Sequence, residues 1–313
     1  WIFLGGILLR LALITAIPSW SEDYLRFLWD GELLNLGANP YLVKPAEFFQ
    51  NPENIQTPYL VQLLDWMNSP NYYSVYPPLN QALFWLVAIG AKMNLSHGII
   101  LLRVFVILGE IGVFILLRKL FVQFSFPNTK LLWYWWNPLV IMELTGNLHF
   151  EGLVLFFLLL AIFFLSHEVA GKSGFFWGIS VGMKLLPLML FPAILGFRKT
   201  SKSVTFWIGA ILAFALSFAW LLIDHSWVNF FQSLRLYQGK FEFNASIYYL
   251  LREVGFWIKG YNTIATLTKV LSGITVIAIL YFSWKKRPKS NLELVDLWVL
   301  IYLIYLIFQP VVH

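Results

Sequence analysis

Long apolar runs recur from one end of the chain to the other, with short polar stretches between them. A helix needs about 20 residues to cross roughly 30 Å of hydrocarbon. The runs near that length are 1–17, 98–118, 131–146, 150–167, 174–197, 204–223, 262–283 and 294–312. The run 79–91 is shorter and is expected to lie on the membrane surface as an interfacial helix. The pattern therefore predicts an all-α, polytopic membrane protein built as a helical bundle.

The positions of basic residues indicate which ends of these runs face the cytoplasm. Lys and Arg cluster at 118–130, 198–202 and 285–289, whereas region 18–97 carries an excess of acids. We therefore expect 18–97 to form a large first outer loop with interfacial helices. The basic clusters remain cytoplasmic only if 174–197 enters the membrane and returns, which gives about nine membrane-entering segments with the N-terminus inside and the C-terminus outside.

A helix break is predicted inside 174–197. Pro187 has no backbone N–H to donate and follows Lys184 by three residues. A charged Lys in mid-span is costly unless it faces a wet cavity or a counter-charge. Two half-helices that meet near these residues would satisfy both conditions, so the pattern favours a re-entrant segment.

Composition agrees with a membrane domain. Hydrophobic residues make up 59% of the chain, charged residues only 12%, and the mean hydropathy is +0.71, whereas soluble domains have about 25% charged residues. We expect one transmembrane domain over 1–313, trimmed at both ends, because the chain opens on an apolar run without Met and stops soon after another.

Charge and motifs exclude several function classes. The net charge of +6 would suit nucleic acid, but the cations lie between apolar runs as topology signals, so nucleic acid is not an expected partner. Cysteine is absent, which excludes disulfides, thiolate catalysis and Cys-bound zinc. The chain has no Walker loop, dinucleotide-binding glycine pattern or HExxH helix. Nucleotide-driven transport and zincin proteolysis therefore lack their usual marks.

Two neighbouring acids directly follow the first apolar run. A carboxylate at the mouth of a bundle, such as Glu22 or Asp23, is suited to act as a general base on a hydroxyl. The alternative is a structural acid at a helix N-terminus or in interfacial water. Arg26 and Asp30 stand at helical spacing, which predicts an ion pair of structural role.

Three further charged positions lie at the ends of runs or inside them. His149 and Glu151 stand where one run ends and the next begins, so His149 is either a phosphate contact or metal ligand, or is satisfied by a backbone group. Lys184 needs a counter-charge within the membrane. A lipid-phosphate head group would provide one, and so would an ion pair with Glu143 or Glu110.

The late loop 224–261 interleaves cations with aromatic residues. Cations supply phosphate contacts and aromatic rings offer flat surfaces for sugars, although an interfacial helix has the same pattern. The residues are Arg235, Lys240 and Arg252, with Tyr237, Phe241, Phe243, Tyr248 and Tyr249.

Five segments together resemble a known family. They are SEDYLRFLWDGELLNLGANPY, VYPPLNQALF, WNPLVIMELTGNLHFEG, GMKLLPLMLFP and FEFNASIYYLLR. In this order they resemble the multispanning GT-C glycosyltransferases, and especially the polyprenol-phosphate-mannose-dependent mannosyltransferases that include the glycosylphosphatidylinositol mannosyltransferase I group. The similarity covers most of the chain, and SEDYLRFLWDG and NASIYYL are its most specific parts.

The resemblance implies a GT-C-like bundle and an inverting transfer. Sugar would pass from a polyprenyl-phosphate donor to a hydroxyl of a lipid or glycan acceptor on the non-cytoplasmic face, in a bacterial inner membrane or the endoplasmic reticulum. It also implies that Asp23 is the catalytic base, with Glu22 as its neighbour or alternative. The family often has Asp-Asp or Asp-x-Asp there, so Glu-Asp leaves open both the choice of base and a need for a divalent cation.

The same resemblance implies cations that stabilise the leaving phosphate. Candidates for contact with the donor phosphate or substrate are Lys184, His149, Glu151, Arg235, Arg252, Asn244 and His313. Membrane lipids would surround such an enzyme, and its lipid donor would enter sideways from the bilayer.

Three other functions compete with this interpretation. A transporter or flippase would be marked by an internal repeat with paired helix breaks, but the sequence shows one such break. A polysaccharide polymerase or ligase would place its large outer loop late in the chain, whereas here it is early. A non-catalytic scaffold would leave Asp23 replaceable.

Overall fold

The computed structural model describes residues 1–244 and 246–311, with only the backbone at 238–240. Every regular element in this part of the chain is a helix, which confirms the all-α prediction. The α-helices are α1 Ile2–Leu11, α2 Asp23–Asn35, α3 Pro45–Phe48, α4 Pro58–Trp66, α5 Pro78–Ala91, α6 Leu95–Gln123, α7 Leu132–Trp135, α8 Pro138–Val140, α9 Glu151–Ser166, α10 Ala170–Met183, α11 Phe191–Gly196, α12 Arg198–Ser201, α13 Val204–Phe218, α14 Ser226–Lys240, α15 Ile247–Lys259, α16 Ile264–Lys286 and α17 Asn291–Phe308. A π-helix, Ile141–Gly146, continues α8, and short 3-10 helices cover Asn128–Leu131, Leu186–Leu190 and Ala219–His225.

The described helices do not confirm the number of membrane segments that the hydropathy pattern predicts. Among the described residues, four helices are long and apolar enough to cross a membrane, or five if the bent pair Pro138–Gly146 and Glu151–Ser166 forms one broken span. The four are Leu95–Gln123, Val204–Tyr237, Ile264–Lys286 and Asn291–Phe308. The first apolar run folds into the ten-residue α1, which is too short to span alone. The count of about nine membrane-entering segments is therefore not confirmed.

The predicted helix break is confirmed. Helix α10 ends at Met183, and Lys184 adopts an extended backbone conformation, with φ −155° and ψ 134°. Pro187 lies in the 3-10 helix that follows. The side-chain amide of Asn80, at the start of α5, donates to the Met183 carbonyl at 2.9 Å. This bond satisfies one of the carbonyls that the end of α10 leaves without a helical partner.

The chain divides into two compact units. The first comprises Trp1–Leu185 with Ile208–Phe230, and the second comprises Leu186–Trp207 with Phe231–His313. The core of the first unit is built around α2, which is buried from Tyr24 to Leu33 and packs against α4 and α5. Gly31 allows the close approach of α5, because a Cβ atom there would collide with the carbonyl of Phe84.

The buried polar groups of α2 are paired. The Arg26 Nε atom lies 2.6 Å from Asp30 Oδ1, as the helical spacing predicted. Asp30 also accepts hydrogen bonds from the Ser74 hydroxyl at 2.5 Å and the Gln81 amide at 2.9 Å. Buried charges are tolerated when such partners satisfy them, so this network fixes the register of α2 against the loop before α5.

A second buried ion pair joins α1 to α6. The Arg10 Nη2 atom lies 2.5 Å from Glu110 Oε1, and neither side chain is exposed. Glu110 also accepts a hydrogen bond from the Thr145 hydroxyl at 2.5 Å. The Arg10 guanidinium stacks over the Trp135 ring, 3.8 Å from its centroid. These contacts compensate two charges that would be costly in hydrocarbon.

In the second unit, α16 and α17 pack together around polar contacts. The Gln309 amide donates to the Thr275 hydroxyl at 2.8 Å and accepts from the Ser272 hydroxyl at 3.0 Å. Helix α17 begins after Ser290, whose side chain accepts from the Glu293 N–H as an N-cap.

Candidate functional site

Asp23 is the first residue of α2, with Glu22 as the N-cap. Its N–H donates to the Ser21 hydroxyl at 3.3 Å, and an acid in the first turn is favoured by the partial positive charge at a helix N-terminus. Glu22 is exposed and Asp23 is partly exposed. Within the described part of the chain, the Asp23 carboxylate accepts no hydrogen bond and forms no ion pair. An open carboxylate therefore stands at the end of a buried helix.

The chain on both sides of Asp23 is tied to the turn between the π-helix and α9. Just before Asp23, the Trp20 N–H donates to the Asn147 side-chain carbonyl at 3.1 Å. One helical turn after it, the ring centroids of Phe27 and Phe150 lie 5.2 Å apart. Contacts to this turn are therefore made both before and after Asp23 in the chain, which places the Asp23 backbone near the turn. The turn leads through His149 to Glu151.

The turn contains a strained backbone position. Leu148 has φ +64° and a fully buried side chain. A branched residue in the left-handed region costs about 1–3 kcal/mol and persists only where the surroundings enforce it. Such strain is concentrated at functional sites, and here it lies between Asn147 and His149.

Lys184 forms an ion pair with Glu151 at the end of α10. Side-chain exposures are 27% for Lys184 and 44% for Glu151, so the protein does not fully enclose the pair. An ammonium has three N–H donors, and Glu151 uses one of those of Lys184. Glu151 is also the first residue of α9. The pair therefore leaves a cation with unused donors at the helix break.

The expected alternative partners of Lys184 have other partners. Glu143 contacts His149, with 3.2 Å between Oε2 and Nδ1, and Glu110 binds Arg10. His149 therefore contacts an acid of the π-helix that precedes this turn. The sequence analysis named Glu143 and Glu110 as possible partners of Lys184, whereas the structure pairs Lys184 with Glu151.

In the second unit, Arg252 is held by an acid that sequence reasoning missed. Its Nη1 atom lies 2.5 Å from Glu242 Oε2. Glu242 also accepts from the Asn262 amide at 2.5 Å and the Tyr248 hydroxyl at 2.7 Å. Partial burial acts to raise the pKa of Glu242, but the hydrogen bonds from Asn262, Tyr248 and Arg252 prevail and lower it. The signal was available, because Glu242 is the one acid in the sequence between Asp224 and Arg252.

The other candidates of the late loop differ in their surroundings. Arg235 is exposed and makes no hydrogen bond or ion pair in the described regions. The Asn244 amide donates to the carbonyls of Leu306 and Gln309 at 2.6 and 2.8 Å, so it anchors the loop to the end of α17. His313 lies outside the described residues.

The sequence leaves open whether the protein binds a divalent cation. The described residues contain no group of three or more His, Asp or Glu side chains placed to hold a metal ion.

Comparison with known protein families indicates an enzymatic activity for this chain. No curated protein matches the chain. A family model described as alpha-(1->6)-mannopyranosyltransferase, N-terminal domain, matches residues 7–199, which is more than half of the chain. The matched segment contains Asp23, the turn before α9 and Lys184. The chain therefore belongs to the MptA_B family of alpha-(1->6)-mannopyranosyltransferases.

Proposed function

We propose that this protein is an inverting, GT-C-type mannosyltransferase that uses a polyprenyl-phosphate mannose donor on the non-cytoplasmic face of a membrane. The acceptor would be a hydroxyl of a lipid or glycan. The observation that carries the proposal is the open Asp23 carboxylate beside the turn that leads to the Lys184–Glu151 pair. A base and a cation on adjacent elements are the two groups that displacement of a phosphate from a sugar requires.

The proposed reaction is a single displacement. Asp23 takes the proton of the acceptor hydroxyl while the oxygen of that hydroxyl bonds to the anomeric carbon of mannose. The bond from that carbon to the phosphate oxygen breaks on the opposite face, and its electron pair leaves with the polyprenyl phosphate. No general acid is needed, because the phosphate monoester leaves as an anion. The configuration at the anomeric carbon is therefore inverted.

Lys184 is the proposed contact for the leaving phosphate. Its ammonium remains partly exposed and spends one donor on Glu151, so the other donors can stabilise the charge that develops on the phosphate oxygens. Glu151 and His149 would contact sugar hydroxyls.

The late-loop candidates would contribute in a second way. Arg235 is exposed and is a proposed contact for an anionic group of the substrate. Arg252 would have to share its guanidinium between a phosphate and Glu242. Asn244 and His313 remain proposed polar contacts of the substrate.

The proposed topology places region 18–97 outside and uses about nine membrane-entering segments. Helix α5 would lie along the outer interface. It is 14 residues long, and its exposed residues include Trp85, Leu86 and Ile89. Aromatic and aliphatic side chains of this kind are typical of the boundary between headgroups and acyl chains.

A donor-competition assay tests the proposed function. Membranes containing the protein are supplied with radiolabelled polyprenyl-phosphate mannose, polyprenyl-phosphate glucose or a nucleotide-activated mannose, with the Asp23→Asn variant as the blank. We expect transfer from the polyprenyl-phosphate mannose alone, with a product of the opposite anomeric configuration to the donor. Transfer from the nucleotide sugar would refute the proposed donor, and retention of configuration would refute the single displacement.

A further inference from the structure

Arg103 is a fully buried cation in the first half of α6. Its guanidinium donates to four backbone carbonyls: from Nε to Thr145 at 2.8 Å, from Nη1 to Ile14 at 2.7 Å, and from Nη2 to Ala16 at 2.6 Å and Gly146 at 3.2 Å. Its side chain forms no ion pair within the part of the chain that the structure describes. The carbonyls belong to two segments far apart in sequence, so one side chain links them.

These carbonyls belong to the segment that follows α1 and to the end of the π-helix. Ile14 and Ala16 follow the end of α1, and Thr145 and Gly146 close the π-helix. The last carbonyls of a helix lack helical donors and carry its partial negative charge. A guanidinium presents five donors in a rigid plane, so Arg103 can bond to the end of the π-helix and to the segment after α1 at once. The partial charge of the π-helix end and the two carbonyls of the other segment then compensate a cation that is costly within a span.

The two linked segments carry the two halves of the candidate site. The segment with Ile14 and Ala16 leads into Asp23, and the segment with Thr145 and Gly146 leads into the turn that precedes Glu151. We propose that Arg103 is a positioning residue that sets the distance between the Asp23 carboxylate and the Lys184–Glu151 pair. This inference rests on the proposed function, because the distance matters only if these groups act on one substrate. Arg103 is buried and does not touch the substrate itself.

The conservative variant Arg103→Lys isolates this role. Lysine keeps the charge, but its donors radiate from one nitrogen and cannot match four carbonyls in a plane. A misplacement of about 1 Å at a reacting centre costs about 10²-fold in rate. We expect kcat to fall by about 10- to 100-fold while the KM for the donor changes little, because the groups that bind the donor remain. Arg118→Lys, at an exposed position of the same helix, is the matched control and should keep the wild-type rate.

Hydrogen exchange gives a readout that needs no sugar transfer. In Arg103→Lys, amides in 12–22 and 141–150 should exchange faster than in the wild type, while those of α16 and α17 should not change. Unchanged protection of both segments, or a wild-type kcat, would overturn the positioning role. Asp23→Asn could remain active while Arg103→Lys shows faster exchange in both segments and slower transfer. That result would refute the assignment of Asp23 as the base but would support the positioning role of Arg103.

A cross-link provides a rescue test. The carbonyls of Ala16 and Gly146 bind the same Nη2 atom, and the chain has no cysteine of its own. A Cβ atom at Gly146 would meet Met142 Cε at 3.6 Å, an ordinary contact. We expect a short thiol cross-linker between Ala16→Cys and Gly146→Cys to restore most of the rate lost in Arg103→Lys. If Arg103→Lys alone does not assemble, the transfer rate is measured on the cross-linked protein that combines Arg103→Lys with Ala16→Cys and Gly146→Cys. A folded, cross-linked protein with wild-type protection but no recovered rate would overturn the proposal.

Discussion

Replacing Asp23 by Asn removes the negative charge at the start of α2 and leaves a side chain of nearly the same size. The two possible roles of Asp23 predict very different consequences. As a general base, it would contribute about 10²–10⁴-fold to the rate. At about 1.36 kcal/mol for each factor of ten, this is a barrier increase of about 3–5 kcal/mol. As a helix-end acid, it would contribute to stability and not to the rate.

The structure indicates that Asp23→Asn changes the free energy of unfolding only slightly. The Asp23 carboxylate forms no hydrogen bond or ion pair in the described part of the chain, so none is lost. What remains is its interaction with the helix N-terminus, worth about 0.3–1 kcal/mol, and Asn is also favoured at helix starts. We therefore expect an assembled protein whose unfolding temperature is close to that of the wild type and whose transfer rate is at least about 100-fold lower.

The assay measures initial rates of transfer from radiolabelled polyprenyl-phosphate mannose at saturating donor, together with thermal unfolding of the purified proteins. Glu22→Gln is the matched control, because it removes the same charge from the neighbouring exposed residue. Near-normal turnover in Asp23→Asn with an inactive Glu22→Gln would move the base by one residue. Normal turnover in both variants would refute the mechanism.

Three further predictions concern the cation, the late loop and the topology. Lys184→Ala should lower kcat/KM for the donor by about 10- to 100-fold, as expected for loss of a charged hydrogen bond, while the partly exposed pair with Glu151 contributes at most about 1 kcal/mol to stability; a larger loss of stability than of donor use would contradict the phosphate contact. Glu242 has a pKa below its ordinary 4.5 in the folded protein. Its ionised form should therefore stabilise the fold above pH 4.5, and this stabilisation should be lost as the pH falls through the lowered pKa. Thermal unfolding of Glu242→Gln should accordingly depend less on pH below about 5 than that of the wild type. In the cysteine-free chain, Lys92→Cys and Asn128→Cys should react with impermeant reagents from the outer and the cytoplasmic side respectively; the reverse would show that the proposed topology is wrong.

Local sequence rules predicted the features that depend on near neighbours. The Arg26–Asp30 pair followed from helical spacing. The break after Met183 followed from Pro187 and a mid-span Lys. Both rules involve residues within one or two helical turns, so the sequence alone contains the information that they need.

Long-range pairing could not be read in the same way. Lys184 binds Glu151 because Arg10 already holds Glu110 and His149 lies against Glu143. Each of these choices depends on which helices pack together, and apolar periodicity does not encode that. Hydropathy alone also cannot give the number of spans, because a short apolar run has the same pattern whether it crosses the bilayer or packs inside the protein. The first run shows the effect, since its helix ends at Leu11 and the following carbonyls turn towards Arg103.

The three acids of α2 differ in how well each could serve as the proposed base. Asp30 is fully buried and bound by Arg26 and two further donors, so its charge is already used. Glu32 has a carboxylate oxygen without a hydrogen-bond partner in the described chain, but the residue is only 1% exposed, and its burial raises its pKa. An acceptor hydroxyl cannot reach it without unfolding the core. Asp23 alone among these acids is both partly exposed and without a partner in the described chain. A general base must touch the hydroxyl that it deprotonates, so accessibility and pairing favour Asp23 over Asp30 and Glu32 as the proposed base.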